Sequence, residues 1–406
     1  MSWECRVPVS RVFELRCRVM DYFGVGALGR VRDVVRVLRS EGVGSVLVVT
    51  DEKVYRVTGV WDVLRPALEE AGLEYAVFEG VIPNPTTECV DRARDLGLEV
   101  GAGAVIAVGG GSHIDTAKGA AILMEYADRS AEELYELKFT PERAKPVVAI
   151  NTTHGTGSEV DRFAVASIVE KGFKPAIAYD IIYPRFSIDD PAVTRTLPPG
   201  QTRYTAIDAL NHVTEAATTR STNPYSIALG VEAARLIFKY LPAALEDPGD
   251  LRARYYLLYA SAIAGISFDI ALLHLTHALE HPLSALKPDL PHGLGLAMLL
   301  PSVVKAVYPA KPEVLAELYR PIAPELKGLP GEAAAAAVRV EEWLFSVGVR
   351  QKLQDVGFGE DDIGRLVELA LTTPSLDLLL RESPIGYDRE VLERIYRESL
   401  APLSRV

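Results

Sequence analysis

Apolar and polar positions follow two different patterns along this chain. In the first half, short runs of mostly β-branched apolar residues predict strands at 45–50, 75–78, 104–108 and 147–151. Stretches with helical periodicity lie between these runs, as at 30–41 and 61–71. Repeated alternation of this kind predicts a parallel sheet that helices cover on both faces, with ligands at the carboxyl ends of its strands.

The pattern changes near Leu197. Beyond Pro198 the strand signals stop, and segments rich in Ala, Leu and Glu continue with helical periodicity. We therefore expect an α/β domain with a Rossmann-like parallel sheet over 1–197 and an all-α domain over 198–406. A chain of 406 residues is long enough for two domains.

Four of the seven histidines form one pattern with an aspartate: Asp208-x3-His212, then His277-x3-His281-x10-His292. Side chains at i and i+4 share one face of a helix, so each pair can bind one ion together. One carboxylate with two or three imidazoles suits Fe(II), Zn(II) or Co(II). Calcium and magnesium would need more oxygen ligands.

The local structure around these histidines is also predictable. The helix that carries His277 should end at about Pro282, which places His292 in a turn. Histidines at helical spacing often pack in a core instead of binding a metal, and we interpret His274 in this way. The carboxylate of Asp208 favours metal binding by the four histidines of the pattern above.

A glycine turn provides the nucleotide signal. The apolar run 105–108 leads directly into Gly109-Gly110-Gly111-Ser112, and helical periodicity follows from about residue 114. Glycines let a ligand approach the backbone, and the start of a helix favours a phosphate. The alternative is a tight turn without a ligand. Two further polar loops, 83–86 and 151–159, occupy the same predicted edge of the sheet.

Two carboxyl-edge features bear on the choice of nucleotide. Residues 24–29 formally match G-x-G-x-x-G, but the charged segment 14–23 before them does not resemble a central parallel strand. Asp51, at the end of the strand 45–50, could accept hydrogen bonds from an adenosine ribose and would repel a 2′-phosphate, which favours NAD over NADP. It could equally be a turn or cap residue before Lys53.

Composition narrows the partners and the location. A net charge of −12 argues against a nucleic acid or a membrane surface and favours a small molecule. The odd set of Cys5, Cys17 and Cys89, with no export signal, fits a reducing cytoplasm. The apolar run 255–273 is interrupted by polar and glycine positions, as in a buried helix. Only seven Asn and Gln residues occur, a bias reported for heat-adapted proteins.

Together these segments closely resemble the iron-containing (group III) alcohol dehydrogenases over about residues 23–301. The resemblance is carried by the glycine turn with Asp115 and Lys118, and by residues 152–159, 208–215, 277–283 and 291–293. Two positions depart from the usual pattern: His154 stands where a small residue is usual, and Ser284 where glycine is common. We expect these departures to bear on the substrate pocket more than on the metal site.

The resemblance implies an NAD(P)-dependent, iron-type dehydrogenase that transfers a hydride between a primary alcohol or aldehyde and a nicotinamide cofactor. Fe(II), or alternatively Zn(II), would lie in the cleft between the domains, held by Asp208, His212, His277 and His292. His281 would lie near the nicotinamide as a catalytic proton relay. The residues expected to bind the cofactor are Asp51, Asn84, Gly109, Gly110, Gly111, Ser112, Asp115, Lys118, Thr152, Thr153, Thr156 and Lys174.

Three alternatives remain open at this point. A polyol or glycerol(-phosphate) dehydrogenase of the same superfamily would share these motifs and is typically zinc-dependent. A lyase like dehydroquinate synthase would need several basic residues, and Arg203 and Lys287 are the nearest ones. A non-catalytic nucleotide-binding protein would leave the four metal-type ligands unexplained. An exposed edge strand near the N-terminus favours a homodimer or a higher homo-oligomer.

Overall fold

The computed structural model describes residues 3–7 and 10–403. Within them lie eight strands, Met20–Phe23 (β1), Ser45–Val49 (β2), Glu74–Phe78 (β3), Ala104–Gly109 (β4), Val147–Asn151 (β5), Phe163–Val165 (β6), Ala176–Ala178 (β7) and Phe186–Asp189 (β8). Six of these form one parallel sheet in the order β1-β8-β5-β4-β2-β3. The other two, β6 and β7, pair as an antiparallel hairpin.

The α-helices of the same residues surround the sheet and then form a separate helical region. Their bounds are Val31–Ser40 (α1), Val54–Val57 (α2), Val60–Ala71 (α3), Thr87–Glu99 (α4), Gly111–Leu123 (α5), Ala131–Tyr135 (α6), Pro199–Ala216 (α7), Pro224–Glu246 (α8), Leu251–Ala271 (α9), Leu275–Leu286 (α10), His292–Val307 (α11), Pro312–Leu318 (α12), Ala333–Ser346 (α13), Ile363–Thr372 (α14), Leu376–Arg381 (α15) and Arg389–Glu398 (α16). This architecture confirms the predicted fold class.

Strand β2 shows how both faces of the sheet are covered. Val46 and Val48 pack with residues of α1 and α3, whereas Leu47 and Val49 pack with residues of α4 and α5. Successive side chains of a strand point to opposite faces, so a central parallel strand must be apolar at every position. The predicted strands β2, β4 and β5 are accordingly buried along their whole length.

The edge strand expected near the N-terminus is β1, although its bounds were not predicted, and sequence reasoning missed β8 and the β6–β7 hairpin. The edge strand β1 has only four residues and includes Asp21, so it lacks a continuous apolar run. The G-x-G-x-x-G segment that follows β1 is not a nucleotide turn. The main-chain amides of Gly26 and Leu28 donate to Oδ2 of Asp190, at 2.9 and 3.1 Å. The protein's own carboxylate therefore occupies the position of a phosphate, in agreement with the rejection of this motif.

Two predictions about α10 and α11 were wrong. Helix α10 does not end at Pro282 but continues to Leu286, and His292 is the first residue of α11 rather than part of a turn. Pro282 removes one hydrogen bond, the one to the carbonyl of Ala278. The two helices pack against each other, and their buried apolar residues offset that loss.

One stretch of the described chain, His292–Ala310, is long and apolar enough by composition to cross a membrane. In the protein 78% of its apolar window is buried, and α11 packs against α7, α10 and α13. Helices α9 and α10 pass the same test only together, and the chain bends by 106° between them. These helices therefore form the core of the helical region, and α9 is the buried helix predicted at 255–273.

Candidate active site

Three helices bring the four predicted metal ligands together. Asp208 and His212 lie on one face of α7, His277 lies in the first turn of α10, and His292 begins α11. The Nε2 atoms of His212, His277 and His292 lie 3.3, 3.6 and 4.0 Å from one atom, Oδ1 of Asp208. The three imidazole nitrogens therefore surround one carboxylate oxygen, and the donor atoms of Asp208, His277 and His292 all lie within 4.8 Å of one another.

These donor atoms fit a divalent cation. With metal–ligand bonds of about 2.1 Å, neighbouring ligand atoms lie roughly 3.0 to 3.4 Å apart, and the distances above are within or slightly beyond this range. Oδ1 of Asp208 and Nε2 of His277 are buried and have no hydrogen-bond partner among the described residues. Unpartnered buried polar atoms are costly, and a cation between them removes that cost.

Two buried glutamates orient the imidazole rings, and sequence reasoning gave neither of them a role. Nδ1 of His277 donates to Oε2 of Glu215, and Nδ1 of His292 donates to Oε2 of Glu280. A ring that carries its proton on Nδ1 presents the lone pair of Nε2 to a metal. Each glutamate follows a histidine ligand by three residues on the same helix, a spacing that could have revealed both.

Both glutamates accept further hydrogen bonds. Oε1 of Glu215 accepts from the amides of His274 and Thr276, at 3.2 and 2.6 Å. Oε1 of Glu280 accepts from the hydroxyl of Ser284. His274 is 1% exposed and hydrogen bonds with a buried threonine, as expected for a core histidine, and its Nδ1 also lies 3.4 Å from Oε1 of Glu215. Both carboxylates are thus held from two sides.

The charges of the site favour a cation. Burial alone raises the pKa of a carboxyl, but the neighbouring imidazoles outweigh it and lower the pKa of Glu215 and Glu280 to about 2. Burial opposes protonation of His277, yet the carboxylates of Glu215 and Asp208 raise its pKa to about 9. Burial lowers the pKa of His212 to about 4. The carboxylates are therefore ionised and give the site the negative charge that a cation would offset.

His281 lies beside these ligands. Its Nδ1 donates to the main-chain oxygen of Lys174 at 2.7 Å, and its ring centroid is 5.7 Å from that of His292. Burial, together with the positive charge of Lys174, lowers the pKa of His281 well below its ordinary value. Nζ of Lys174 lies 3.0 Å from Oδ1 of Asn84 and 3.4 Å from Nδ1 of His292. Two of the predicted cofactor residues, Asn84 and Lys174, thus lie next to the metal ligands.

The glycine turn lies at the carboxyl edge of the sheet. Gly110 caps α5, which begins at Gly111 rather than near residue 114. A Cβ atom on Gly110 or Gly111 would lie 2.5 Å from the side chain of Thr153 or Thr156, respectively. The turn and the loop after β5 can pack this closely only because both positions are glycine. The result is a polar surface at the start of a helix, which suits a phosphate.

The other residues of this surface occupy the same edge. Gly109 ends β4 with a φ of +149°, a conformation that favours glycine. Ser112 lies in the first turn of α5 and is partly exposed. Thr152 follows β5, and within the described residues its buried Oγ1 has no hydrogen-bond partner. Pairing of β4 with β5 places all of these residues side by side.

Asp51 combines the two roles considered for it. Its Oδ1 accepts from the amides of Lys53 and Val54, at 2.7 and 2.8 Å, as a turn residue does. Its Oδ2 lies 3.1 Å from Nε2 of His113, on the helix that the glycine turn begins. The side chain remains 35% exposed. Asp51 is therefore a turn residue whose carboxylate is still accessible at the edge of the sheet.

Asp115 and Lys118 lie behind the glycine turn. Lys118 is fully buried, and its Nζ donates to Oγ of Ser158, Oδ1 of Asp161 and two main-chain oxygens, at 2.8–3.0 Å. Asp115 accepts from Oγ of Ser158 at 2.6 Å and from the amide of Val165 at 2.9 Å. Both residues therefore position the adjacent loop, and their predicted role in cofactor binding stays a prediction.

His154 and Ser284, the two residues that depart from the family pattern, were expected to bear on the substrate pocket, but the structure shows other contacts for both. His154 is buried, and Nη1 of Arg254 donates to its Nε2 at 3.1 Å while Thr205 lies 3.3 Å from its Nδ1. This histidine therefore links the loop after β5 to α9 and α7. Ser284 hydrogen bonds with Glu280 and so adjoins the metal ligands. These contacts do not support the expectation that both residues bear on the substrate pocket.

Comparison with known sequences decides the family. Family models for "iron-containing alcohol dehydrogenase" and for the C-terminal part of the "Fe-containing alcohol dehydrogenase family" match residues 21–191 and 202–400. The chain belongs to the iron-containing alcohol dehydrogenase family. A long-chain primary alcohol dehydrogenase of Thermoanaerobacter ethanolicus is 57% identical to it, over 98% of this chain and 100% of the relative.

Solved structures resemble this iron-containing alcohol dehydrogenase along its whole length. The NADH-dependent butanol dehydrogenase A of Thermotoga maritima has a TM-score of 0.87 at 27% identity and covers 97% of this chain and 99% of its own. An archaeal halo-thermophilic alcohol dehydrogenase from a Red Sea brine pool has a TM-score of 0.88 at 26% identity, over 96% and 100%. The heat-adapted composition of the chain agrees with such relatives.

This iron-containing alcohol dehydrogenase is a metal-dependent enzyme that transfers a hydride between a primary alcohol or aldehyde and a nicotinamide cofactor. The function and enzyme class predicted from the sequence are thereby confirmed over the polyol dehydrogenase and lyase alternatives. Iron and a nicotinamide are its cofactors, and its substrates are small molecules.

Proposed function

We propose that the active site lies in the cleft between an α/β domain of residues 1–197 and a helical domain of residues 198–406. The proposed metal ligands are Asp208, His212, His277 and His292. The observation that carries this proposal is the convergence of three imidazole nitrogens on Oδ1 of Asp208. Two of those rings are held by buried glutamates through their other nitrogen, an arrangement typical of metal sites.

A bound divalent ion supplies a Lewis acid for the alcohol or aldehyde oxygen, and the nicotinamide accepts or provides the hydride. The residues of the chain prepare this step. Glu215 and Glu280 keep the protons of His277 and His292 on Nδ1, so Nε2 of each ring stays available as a ligand. Burial of the ligands excludes water, which strengthens electrostatic interactions in the site.

His281 is proposed to act in proton transfer. Nδ1 of His281 donates a hydrogen bond to the main-chain oxygen of Lys174. A carbonyl oxygen is too weak a base to take the proton. Nε2 is therefore the atom that can accept a hydrogen bond from a ribose hydroxyl or from ordered water. Because burial and the charge of Lys174 lower the pKa of His281, the resting ring is neutral. Its Nε2 can take a proton from the ribose hydroxyl or water and release the same proton to bulk water.

The cofactor is proposed to lie along the carboxyl edge of the sheet. Its pyrophosphate would lie on the glycine turn and the adjacent loop, formed by Gly109, Gly110, Gly111, Ser112, Thr152, Thr153 and Thr156. Asn84 and Lys174 would face the nicotinamide half, because they adjoin the metal ligands. Asp51 would face the adenosine ribose. A carboxylate there accepts from ribose hydroxyls and repels a 2′-phosphate, so NAD(H) is favoured over NADP(H).

We propose a primary alcohol or aldehyde with an extended apolar chain as the substrate, the class named for the Thermoanaerobacter relative. An apolar cluster adjoins the metal ligands. The ring of Phe268 lies 4.5 Å from that of His212 and 5.5 Å from that of Phe163, and Leu273 packs in the same cluster. Phe163 is only partly buried, so an alkyl chain that extends from the metal can contact this surface.

A homodimer or a higher homo-oligomer is proposed through the free edge of β1. Met20 on this strand and Val25 just after it are 56% and 57% exposed, and an unpaired apolar strand edge is a template for pairing with a second copy. Light scattering after gel filtration checks this. A charged residue in place of Met20 should shift the enzyme toward the monomer, and an unchanged mass would contradict the assignment of this edge.

A cytoplasmic location is proposed from the thiols. Cys17 and Cys89 are unpaired in the structure, Cys17 at the surface and Cys89 buried. Free thiols persist in a reducing compartment. Cell fractionation with an antibody against the enzyme would test this location.

The central experiment is anaerobic reduction of aldehydes after chelation and reconstitution with Fe(II) or Zn(II), with NADH and NADPH followed separately. We expect metal-dependent activity, a preference for NADH, and kcat/KM that rises from ethanal to octanal. Asp208→Asn should lose both bound metal and activity. Activity without metal would contradict the metal site, a preference for NADPH would contradict only the role of Asp51, and a preference for short aldehydes would contradict the apolar pocket.

A further inference from the structure

The carboxylate of Asp51 is already hydrogen bonded from three directions. Oδ1 accepts from the amides of Lys53 and Val54, at 2.7 and 2.8 Å. Oδ2 lies 3.1 Å from Nε2 of His113. An ionised carboxylate has about four lone-pair sites, so roughly one remains for a ligand. Capture of both hydroxyls of a ribose needs at least two acceptor sites.

The position of Asp51 does not depend on His113. Two short main-chain hydrogen bonds hold Oδ1 at the start of α2, and they orient the whole carboxylate. The contact with His113 is therefore redundant for placement. What it changes is the charge and the acceptor capacity of Oδ2, the oxygen that the main chain leaves free.

His113 lies between Asp51 and the glycine turn. It is the third residue of α5, and a Cβ atom on Gly109 would overlap its ring. The ring is largely buried, at 13% exposure, whereas Asp51 is 35% exposed. A carboxylate only accepts hydrogen bonds, so Nε2 of His113 must carry the proton. The hydrogen bond from His113 and those from the main chain keep the pKa of Asp51 below its usual value, so the carboxylate stays ionised.

We propose that His113 is a specificity-determining residue that weakens the discrimination of Asp51 between NAD(H) and NADP(H). This inference rests on the proposed role of Asp51 as the residue that faces the adenosine ribose. His113 occupies an acceptor site that a second ribose hydroxyl would use, which lowers the affinity for NAD(H). Its N–H also offsets part of the negative charge that repels a 2′-phosphate, which lessens the exclusion of NADP(H).

The test compares kcat/KM for NADH and NADPH, at one pH and with one aldehyde, in the wild type, His113→Ala and His113→Gln. The ratio of the two values cancels any effect on pyrophosphate binding, which both cofactors share. We expect the NADH/NADPH ratio to rise at least about fivefold in His113→Ala, the worth of one hydrogen bond. The glutamine amide can still donate to Asp51, so His113→Gln should keep the ratio of the wild type. A ratio that stays the same or falls in His113→Ala would overturn the proposal.

Asp51→Asn separates this inference from the proposed function. If Asp51→Asn leaves the ratio unchanged, Asp51 does not read the cofactor and the proposed function fails at this residue. If Asp51→Asn shifts the ratio toward NADPH but His113→Ala does not shift it toward NADH, only the present inference fails. In the double variant the effect of His113→Ala should vanish. Dissociation constants for both cofactors, measured by quenching of protein fluorescence, provide a readout that does not depend on turnover.

Discussion

The carboxylate of Glu280 joins His292 to Ser284: Oε2 accepts from Nδ1 of the histidine, and Oε1 accepts from the hydroxyl of the serine. Glu280 is fully buried and lies 3.6 Å from Nζ of Lys174. The hydrogen bond from His292 to Glu280 places a negative charge directly behind His292, a proposed metal ligand. It also shows how Ser284, at a position where the family commonly has glycine, adjoins the metal site.

Glu280→Gln should lower the affinity for metal by about tenfold, because partners of this kind typically contribute between ten- and a hundredfold. Competition against a chelator, followed by metal analysis, measures this affinity. Ser284→Gly is the matched control, since it removes the hydroxyl and keeps the charge, and its effect should be smaller. Equal metal affinity in the wild type and Glu280→Gln would show that this carboxylate does not tune the site.

His281→Ala should lower kcat by about a hundredfold or more, the usual contribution of a proton-transfer group, with metal content unchanged. Nδ1 of His281 donates to the main-chain oxygen of Lys174, and His281 is not part of the donor cluster of Asp208, His277 and His292, so we expect these residues to hold the ion without it. Metal analysis and turnover on the same sample provide the check. Loss of metal together with activity would make His281 a ligand instead.

Lys118→Met should destabilise the enzyme by about 3 to 5 kcal/mol, the usual cost of removing one partner of a buried ion pair. Lys118 and Asp161 are both buried, with Nζ and Oδ1 separated by 2.9 Å. Denaturant unfolding followed by circular dichroism measures the loss. The control is Arg235→Met, which breaks the exposed pair with Glu232 and should cost less than about 1 kcal/mol. A similar loss in both variants would contradict a structural role for Lys118.

Glu159→Gln should stabilise the enzyme at alkaline pH. Glu159 is fully buried, and neither of its carboxylate oxygens has a hydrogen-bond partner within the described residues. Burial, with the negative charges of Asp21 and Asp161, raises the pKa of Glu159 to about 8. The folded protein thus binds this proton more tightly than the unfolded chain does. Its contribution is complete below the unfolded pKa, near 4.5, and is lost as the pH rises toward 8.

Melting temperatures of the wild type and Glu159→Gln between pH 5 and 9 check this prediction. The difference in unfolding free energy should grow with pH and level off above about pH 8, at on the order of 5 kcal/mol in favour of the variant. Glu99→Gln alters an exposed glutamate and should leave the pH dependence of the wild type unchanged. A constant difference across the pH range would mean that Glu159 is ionised in the folded protein.

Among the strands that are buried along their whole length, those that are almost entirely apolar were predictable, whereas β8, which contains Ser187 and Asp189, was missed. Strands β2, β4 and β5 are apolar apart from Ser45 and Asn151 at their ends, because helices cover both of their faces. The bounds of the edge strand β1 escaped prediction, since one neighbouring strand is enough to place Met20–Phe23 in the sheet whatever its side chains. The prediction that α10 ends at Pro282 was wrong because the packing of α10 against α11 outweighs one missing hydrogen bond.

The proposed metal ligands could be selected from sequence because an ion needs particular side chains at i and i+4, a local requirement that Asp208 and His212 meet on one helix. What the sequence by itself determined is therefore local: the apolar strands, the glycine turn, the helical histidine pairs and the family resemblance. Only the tertiary structure decided which groups meet across the chain. It set Glu280 behind His292, buried Lys118 against Asp161 and placed His113 on Asp51, because such contacts depend on how separate elements pack and not on spacing along one element.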